Sequence, residues 1–326
     1  MATAAKEIPL IVFYIHGGKK MTIVFVGPGA MGCLVAALLK EALRPGTHDV
    51  WLLDKNTERA GFINTHGVRI DDKNGSCVVR VATTAETAVI GSANLLCLCV
   101  KSFDTGSAIR HSLQLVGMDT IVVSLQNGCG NVEQIAEVVE NTQIICGITA
   151  HGATKLGEGH VRHAGTGPTW VAPFVTERRE LAGRVADLLT KSGMNATVVD
   201  DMQSMIWSKL IINSAINPLT AISNVWNGQL LEDPELRKTM RKAAAEAAAV
   251  ARAKSIALMY GDEVKEVEKV CRATSKNVSS MLQDVRRGRR TEIDSITGVI
   301  VKEAHALGVE VPTNEMLLKR VHAMEK

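Results

Sequence analysis

Residues 22–39 read TIVFVGPGAMGCLVAALL: a β-branched apolar run, glycines at Gly27, Gly29 and Gly32, then a second apolar run. The first run has the character of a strand buried on both faces, and the second that of a helix packed on a sheet. Gly27 allows a tight turn, Gly29 lets the backbone approach a pyrophosphate, and Gly32 lets the helix come close to the strand. The helix N-terminus adds free N–H groups and positive potential. A G-x-G-x-x-G spacing is weak by itself. Set between a strand and a helix, it predicts a dinucleotide site at Gly27, Pro28, Gly29, Ala30, Met31 and Gly32.

The next strand pattern, HDVWLLDK (48–55), ends at Asp54 and Lys55. An acidic residue at that place usually accepts the ribose 2′-hydroxyl of NAD, and a basic one suits the 2′-phosphate of NADP. The chain offers both, with Arg59 one helical turn beyond Lys55, so charge alone leaves the choice open. A solvated strand end is the plainer alternative. Further apolar runs occur at NLLCLCV (94–100) and TIVVSL (120–125), with helical patterns at Met31–Ala42 and Val132–Glu140. That alternation predicts a doubly wound α/β sheet. Lys101 and Asn127, each just past a strand, fall at the carboxyl edge where such sheets hold ligands. Residues 143–175, rich in Gly, Thr and His, read as an antiparallel extension of the same sheet.

After Asp200 the strand signals stop. Pro234–Tyr260, Glu263–Gln283 and Glu292–Leu307 have helix compositions, and Gly308 and Pro312 punctuate the last turn. The expected organisation is an extension outside the fold at residues 1–20, an α/β unit at 21–200 and an all-helical unit at 201–326.

The most informative helical stretch is MIWSKLIINSAINPLTAISN (205–224). Lys209, Asn213 and Asn217 recur every four residues and form one polar stripe among isoleucines and leucines. Polar groups on a buried helix need partners, either a ligand in a cleft or a satisfied interdomain network. A lysine in such a place loses basicity by desolvation and can serve as a proton donor. Pro218 predicts a kink or break after Asn217. In NVSSMLQDVRRGRRTEID (277–294), Ser280 and Asp284 lie one turn apart, and the arginines at 286–290 read as a solvated, salt-bridged helix end.

With 326 residues, about two domains are expected. A hydrophobic share of 46% suits a folded core, and a net charge of +3 is too small to argue for nucleic acid or an anionic membrane as partner. No apolar run is long enough for a spanning helix, and the stretch Ile8–Ile15 lacks the length and cleavage site of a signal peptide. The seven cysteines show no C-x-x-C or zinc spacing, so they read as buried small hydrophobes of a reducing, cytoplasmic protein. His151, His160 and His163 lack acidic or cysteine partners at ligand spacing, and no metal is expected.

GPGAMG, VKSFDT (100–105), SLQNG (124–128), GHVRHAGTG (159–167), KLIINSAINPLTAI (209–222) and SSMLQDVRRGRRTEID (279–294) occur in this order. Together they resemble the ketopantoate reductase (2-dehydropantoate 2-reductase) family, from Thr22 to about Pro312. The resemblance implies an α/β Rossmann-type dinucleotide-binding domain followed by an all-α domain, and NADPH-dependent reduction of 2-dehydropantoate to (R)-pantoate in pantothenate and coenzyme A biosynthesis. It implies that Lys209 is the catalytic general acid and that Asn213, Asn217 and Ser280 grip the substrate. It also implies that Asn127 and Lys101 contact the cofactor, Asn127 on the nicotinamide and substrate side, and that Glu292 orients groups around cofactor and substrate. Lys55 matches a basic position for the 2′-phosphate; Asp54 beside it departs from the pattern. A reductase of another branched 2-oxo acid and a non-catalytic NADPH-sensing regulator are the alternatives, and the helical half could support a homodimer.

Overall fold

The computed structural model describes residues 20–325, so most of the expected extension at 1–20 lies outside the described residues. The strands are β1 (Met21–Val26), β2 (His48–Leu53), β3 (Val68–Asp72), β4 (Gly75–Val79), β5 (Ala82–Thr84) and β6 (Ala93–Leu98). They continue with β7 (Val116–Ser124), β8 (Ile144–Thr149), β9 (Gly152–Gly157), β10 (His160–Gly165), β11 (Thr169–Pro173) and β12 (Ala196–Val198). The helices of the first half are α1 (Ala30–Ala42), α2 (Thr57–His66), α3 (Thr87–Ile90), α4 (Thr105–Ser112), α5 (Asn131–Ala136) and α6 (Arg179–Lys191). Those of the second are α7 (Met202–Ser223), α8 (Gln229–Glu232), α9 (Pro234–Ala253), α10 (Glu263–Ala273), α11 (Ser280–Val285), α12 (Val299–Leu307) and α13 (Pro312–His322).

The main sheet has eight strands in the order β12-β11-β8-β7-β6-β1-β2-β5. All pairs from β8 to β5 are parallel; β11 runs antiparallel to β8. The chain winds from β1 to β2 on one side and then crosses to β6 on the other, which opens a crevice at the carboxyl ends of β1 and β6. Ile23 and Phe25 of β1 face α1, whose Leu34, Val35 and Leu39 are fully buried against them, while Val24 and Val26 face the opposite layer. Each such large apolar side chain contributes about 1.5–3 kcal/mol of burial.

Residues 143–175 do more than extend this sheet. β11 does pair with it, but β9 and β10 leave it and join β3 and β4 in a second sheet, ordered β4-β3-β10-β9. The join is β10 on β3, which brings His160 opposite Arg69, and no local pattern encodes a pairing across that separation.

The switch to helices comes inside α7. Met205 and Ile206 pack beneath the sheet, whereas Trp207 onward belongs to the core of the helical half. Pro218 does not break the helix: α7 runs through it to Ser223, and the loss falls on the carbonyl of Ser214, which forgoes its usual donor. Around α7 pack α9, α10, α11 and α13. Ala243, Ala244, Ala247, Ala248 and Ala251 of α9 are all fully buried, so the alanine run lets α9 lie close. α9 ends before Tyr260 because Ser255 turns left-handed, at φ +58°. The expected helix from Glu263 to Gln283 divides in two, since Ser275 and Asn277 give their carbonyls to the amides of Gly228 and Asn227.

Candidate active site

Three loops meet at the sheet's carboxyl edge. In the first, Gly27 adopts φ +93° and donates its N–H to the Leu53 carbonyl at 2.9 Å. A Cβ on Gly32 would sit 2.2 Å from the Gly27 carbonyl oxygen, and one on Gly29 would meet nothing within 4 Å. α1 begins there with no side-chain cap and no acidic residue in its first turn. Unspent N–H groups therefore face an open side of the loop, and that arrangement fits a pyrophosphate.

At the end of β2 the carboxylate of Asp54, with a side chain only 1% exposed, is gripped by Arg59. Arg59 Nη2 donates to Oδ1 at 2.5 Å and Nε donates to Oδ2, while the Asn56 amide donates to Oδ1 at 3.1 Å. Three of about four acceptor positions are thus taken. The hydrogen bond to Asp54 is also the main reason the Arg59 pKa lies above its ordinary value. Lys55 is largely exposed and pairs with Asp104 at 3.2 Å.

The polar stripe of α7 comes up beneath the loops after β7 and β8. Asp201 caps the helix through the Ser204 amide, and the Ser208 carbonyl accepts the Tyr260 hydroxyl at 2.6 Å, which fixes the helix along its length. Lys209 Nζ donates to Asn127 Oδ1 at 2.8 Å and to the Thr149 carbonyl at 2.7 Å. An ammonium has three donors, so one remains. Burial lowers the Lys209 pKa to about 8, against the opposing pull of Glu292 and Cys146. The amides of Asn213 and Asn217 and the hydroxyl of Ser280 make no hydrogen bond to any described residue. A closed hydrogen-bond network would have used them. Ser280 opens α11, which is fastened to α7 because Ser279 caps α11 and accepts the Thr220 hydroxyl of α7 at 2.7 Å.

Glu292 forms a fourth cluster. Its Oε1 accepts the Ser102 amide at 3.0 Å and its Oε2 accepts Lys101 Nζ at 3.2 Å; Lys101 also donates to Asp284 at 2.6 Å. Burial works against the Lys101 ammonium, but Glu292 and Asp284 outweigh it and hold the pKa above its ordinary value. Burial pushes the Asp284 carboxyl up, with Lys101 opposing. Ser102 and Ser295 share a hydrogen bond of 2.7 Å across the same boundary.

The structure therefore brings Lys209 to Asn127 and Lys101 to Glu292, with Asn213 and Asn217 on the Lys209 stripe of α7 and Ser280 at the start of α11, which packs on α7. Lys55 instead sits at the outer rim, paired with Asp104. Sequence reasoning missed the Thr149 carbonyl and the Ser102 amide, and as backbone groups they carry no side-chain signature. The arginines at 286–290 are exposed, and Arg290 pairs with Asp294 at 3.2 Å, as a solvated, salt-bridged helix end requires; they also make further contacts. Arg286 donates to Asn224, Arg287 donates to the Lys155 carbonyl, and Arg290 lies over the Phe103 ring at 4.7 Å. His151 and His163 bond to each other at 3.0 Å and His160 pairs with Asp71 at 2.8 Å. A surface hollow of ≈ 840 Å³ near Met118 and Gln143 lies at the other end of β7 and shares no residue with these clusters.

Two family models match the chain, ketopantoate reductase PanE/ApbA over residues 23–176 and its C-terminal counterpart over 201–325. The 2-dehydropantoate 2-reductase of Halobacterium salinarum is 33% identical, with 94% of this chain and 99% of that protein covered. The enzyme of the same name from Archaeoglobus fulgidus is 34% identical over 92% of this chain and 96% of its own length. Among solved structures, a PanE/ApbA family ketopantoate reductase from Ralstonia eutropha superposes with a TM-score of 0.83 at 30% identity, covering 94% of this chain and 98% of that one. D-mandelate dehydrogenase in complex with NADH and anilino(oxo)acetate superposes with a TM-score of 0.86 at 28% identity, over the same shares.

Proposed function

Because the chain belongs to the ketopantoate reductase family, we propose that it reduces 2-dehydropantoate to (R)-pantoate with NADPH as reductant. When bound, NADPH supplies the hydride. The residues to hold it are Gly27–Gly32 at the pyrophosphate, Lys55 and Arg59 toward the 2′-phosphate, and Lys101 and Asn127 toward the reacting end. Asp54 does not oppose this choice, because Arg59 and the Asn56 amide already occupy its oxygens.

The observation that carries the proposal is the state of Lys209. Its ammonium is anchored by two acceptors and has one free donor, and burial brings its pKa to about 8. A group of that acidity is matched to protonating an oxygen that becomes an alkoxide near neutral pH. Asn213, Asn217 and Ser280 offer unspent amide and hydroxyl groups beside it, suited to a substrate carrying a carboxylate, a ketone and a hydroxyl. Glu292 ties Lys101 and Ser102 of the sheet's edge to the helical half. All seven cysteines are free, which fits the reducing cytoplasm as the place of action.

The test is loss of NADPH absorbance when purified protein meets 2-dehydropantoate, with pantoate identified as product. Binding of NADPH without oxidation would favour a sensor. Faster turnover of another branched 2-oxo acid would reassign the substrate.

A further inference from the structure

We infer that Glu325, just past the end of α13, is a positioning residue for Glu292, and that His322 braces the same segment from its other side; this rests on the proposed role of Glu292. The segment Arg290–Asp294 leads out of the turn after α11 into a π-helical turn, Asp294–Gly298. Thr291 and Glu292 are buried there, at 1% and 6% exposure; the Glu292 carbonyl accepts the Ile296 amide, but the Thr291 amide lies before any helical ladder that could satisfy it. Glu325 fills that gap. One of its oxygens, Oε1, accepts both the Thr291 amide at 2.7 Å and the Thr291 hydroxyl at 2.6 Å. Thr291 Oγ1 in turn accepts the Ile293 amide at 3.2 Å. The amides on both sides of Glu292 are therefore fixed by one carboxylate, directly or through one hydroxyl.

The far end is fixed by the same helix. His322 Nε2 and Asp294 Oδ1 are 2.7 Å apart, and Asp294 Oδ2 accepts Arg290 at 3.2 Å. α13 is a firm base, since Leu317 and Val321 are fully buried and Glu246 accepts the Thr313 and Asn314 amides at its start. With the segment held from α13 at Thr291 and Asp294, the Glu292 carboxylate extends the other way, to the Ser102 amide and Lys101. The side chains of Glu325 and His322 bond to Thr291 and Asp294, and to none of Lys209, Asn213 and Asn217. Each acts through the backbone or a neighbouring side chain, and a buried amide left without its acceptor would pull the segment out of place.

Hydrogen exchange at the Ser102 amide reports where Glu292 stands without requiring turnover, so it separates this inference from the reductase proposal. In Glu325→Ala, exchange at Thr291 and Ser102 should quicken about tenfold or more, and kcat should fall about tenfold to a hundredfold, as expected for a displacement of about 1 Å in a reacting constellation. Glu325→Gln retains an Oε1 acceptor and should restore both readings. Unchanged Ser102 protection in Glu325→Ala, or no rescue by Glu325→Gln, would overturn the inference. Should Glu325→Ala fail to fold, Thr291→Val removes the hydroxyl's bonds to both Glu325 and the Ile293 amide and must quicken Ser102 exchange, or the inference fails. A wild-type protein inert toward 2-dehydropantoate would defeat the reductase proposal alone; Ser102 exchange would still decide this one.

Discussion

Lys209 Nζ donates to Asn127 Oδ1 at 2.8 Å, so the long helix of the second half meets the loop that ends β7 through one hydrogen bond. A proton donor works only while protonated, and burial sets the Lys209 pKa at about 8. The rate of ketone reduction is therefore expected to fall as pH rises through about 8. Lys209→Ala should lose about a hundredfold to ten-thousandfold in kcat with NADPH affinity little changed. Lys209→Arg keeps its proton throughout and should show lower activity without the break near pH 8. A rate that climbs through that range, or a break that survives in Lys209→Arg, would exclude Lys209 as the acid.

Gly29 and Gly32 differ in what surrounds them, and the two alanine variants should differ accordingly. At Gly32 the added Cβ would lie 2.2 Å from the Gly27 carbonyl oxygen, so strand and helix must part. Gly32→Ala is expected to destabilise by about 1–3 kcal/mol, a fall in Tm of several degrees, and to lose cofactor binding with it. At Gly29 the Cβ enters open space, so Gly29→Ala should leave Tm unchanged or slightly higher. Its cofactor affinity should nevertheless drop, because that space is the proposed pyrophosphate face. Thermal melts with and without NADPH separate the two effects.

How much of the fold and the site is legible in the sequence depends on whether the signal is local. The stripe of Lys209, Asn213 and Asn217 can be read because one helix of regular period carries all three. The glycine loop can be read because strand, turn and helix succeed each other without a gap. The partners across the cleft cannot, since the Thr149 carbonyl and the Ser102 amide belong to backbone that any residue provides. The second sheet escapes notice because β3 and β10 pair over a long separation in sequence. Pro218 misleads in the opposite direction: the rule disfavouring a helical residue before proline is overridden by packing along the whole of α7.

The grip of Arg59 on Asp54 makes a prediction about cofactor choice. In the native protein Asp54 has little acceptor capacity left, and the guanidinium adds positive charge beside the proposed 2′-phosphate position. Arg59→Ala removes that charge and frees a carboxylate suited to a ribose diol. The preference for NADPH over NADH, taken as the ratio of kcat/KM values, should fall about tenfold to a hundredfold, the equivalent of one charged hydrogen bond gained and lost. A ratio within twofold of the native one would show that selectivity resides in Lys55 or elsewhere. The double variant Arg59→Ala, Asp54→Asn separates the two contributions, because it lacks the freed carboxylate but keeps the charge loss.

Lys101 holds two carboxylates of the helical half, Asp284 at 2.6 Å and Glu292 at 3.2 Å, and Lys101→Met would leave them facing each other with only the weaker pull of Arg289 and Lys209 as counter-charge. Removing one partner of a fully buried pair destabilises by about 3–5 kcal/mol. The Lys101 side chain is 36% exposed, so solvent screening reduces the expected loss to about 1–3 kcal/mol at neutral pH. The sign of its pH dependence comes from Asp284, whose carboxyl is already pushed up by burial and would rise further without Lys101. A folded state with a raised carboxyl pKa holds more protons than the unfolded chain once pH exceeds the unfolded value near 4, so stability falls as pH rises. The difference in urea midpoint between native and Lys101→Met protein should accordingly be small at about pH 5 and full at about pH 7.5. A difference that shrinks with rising pH would mean that the cluster is not held by its charges.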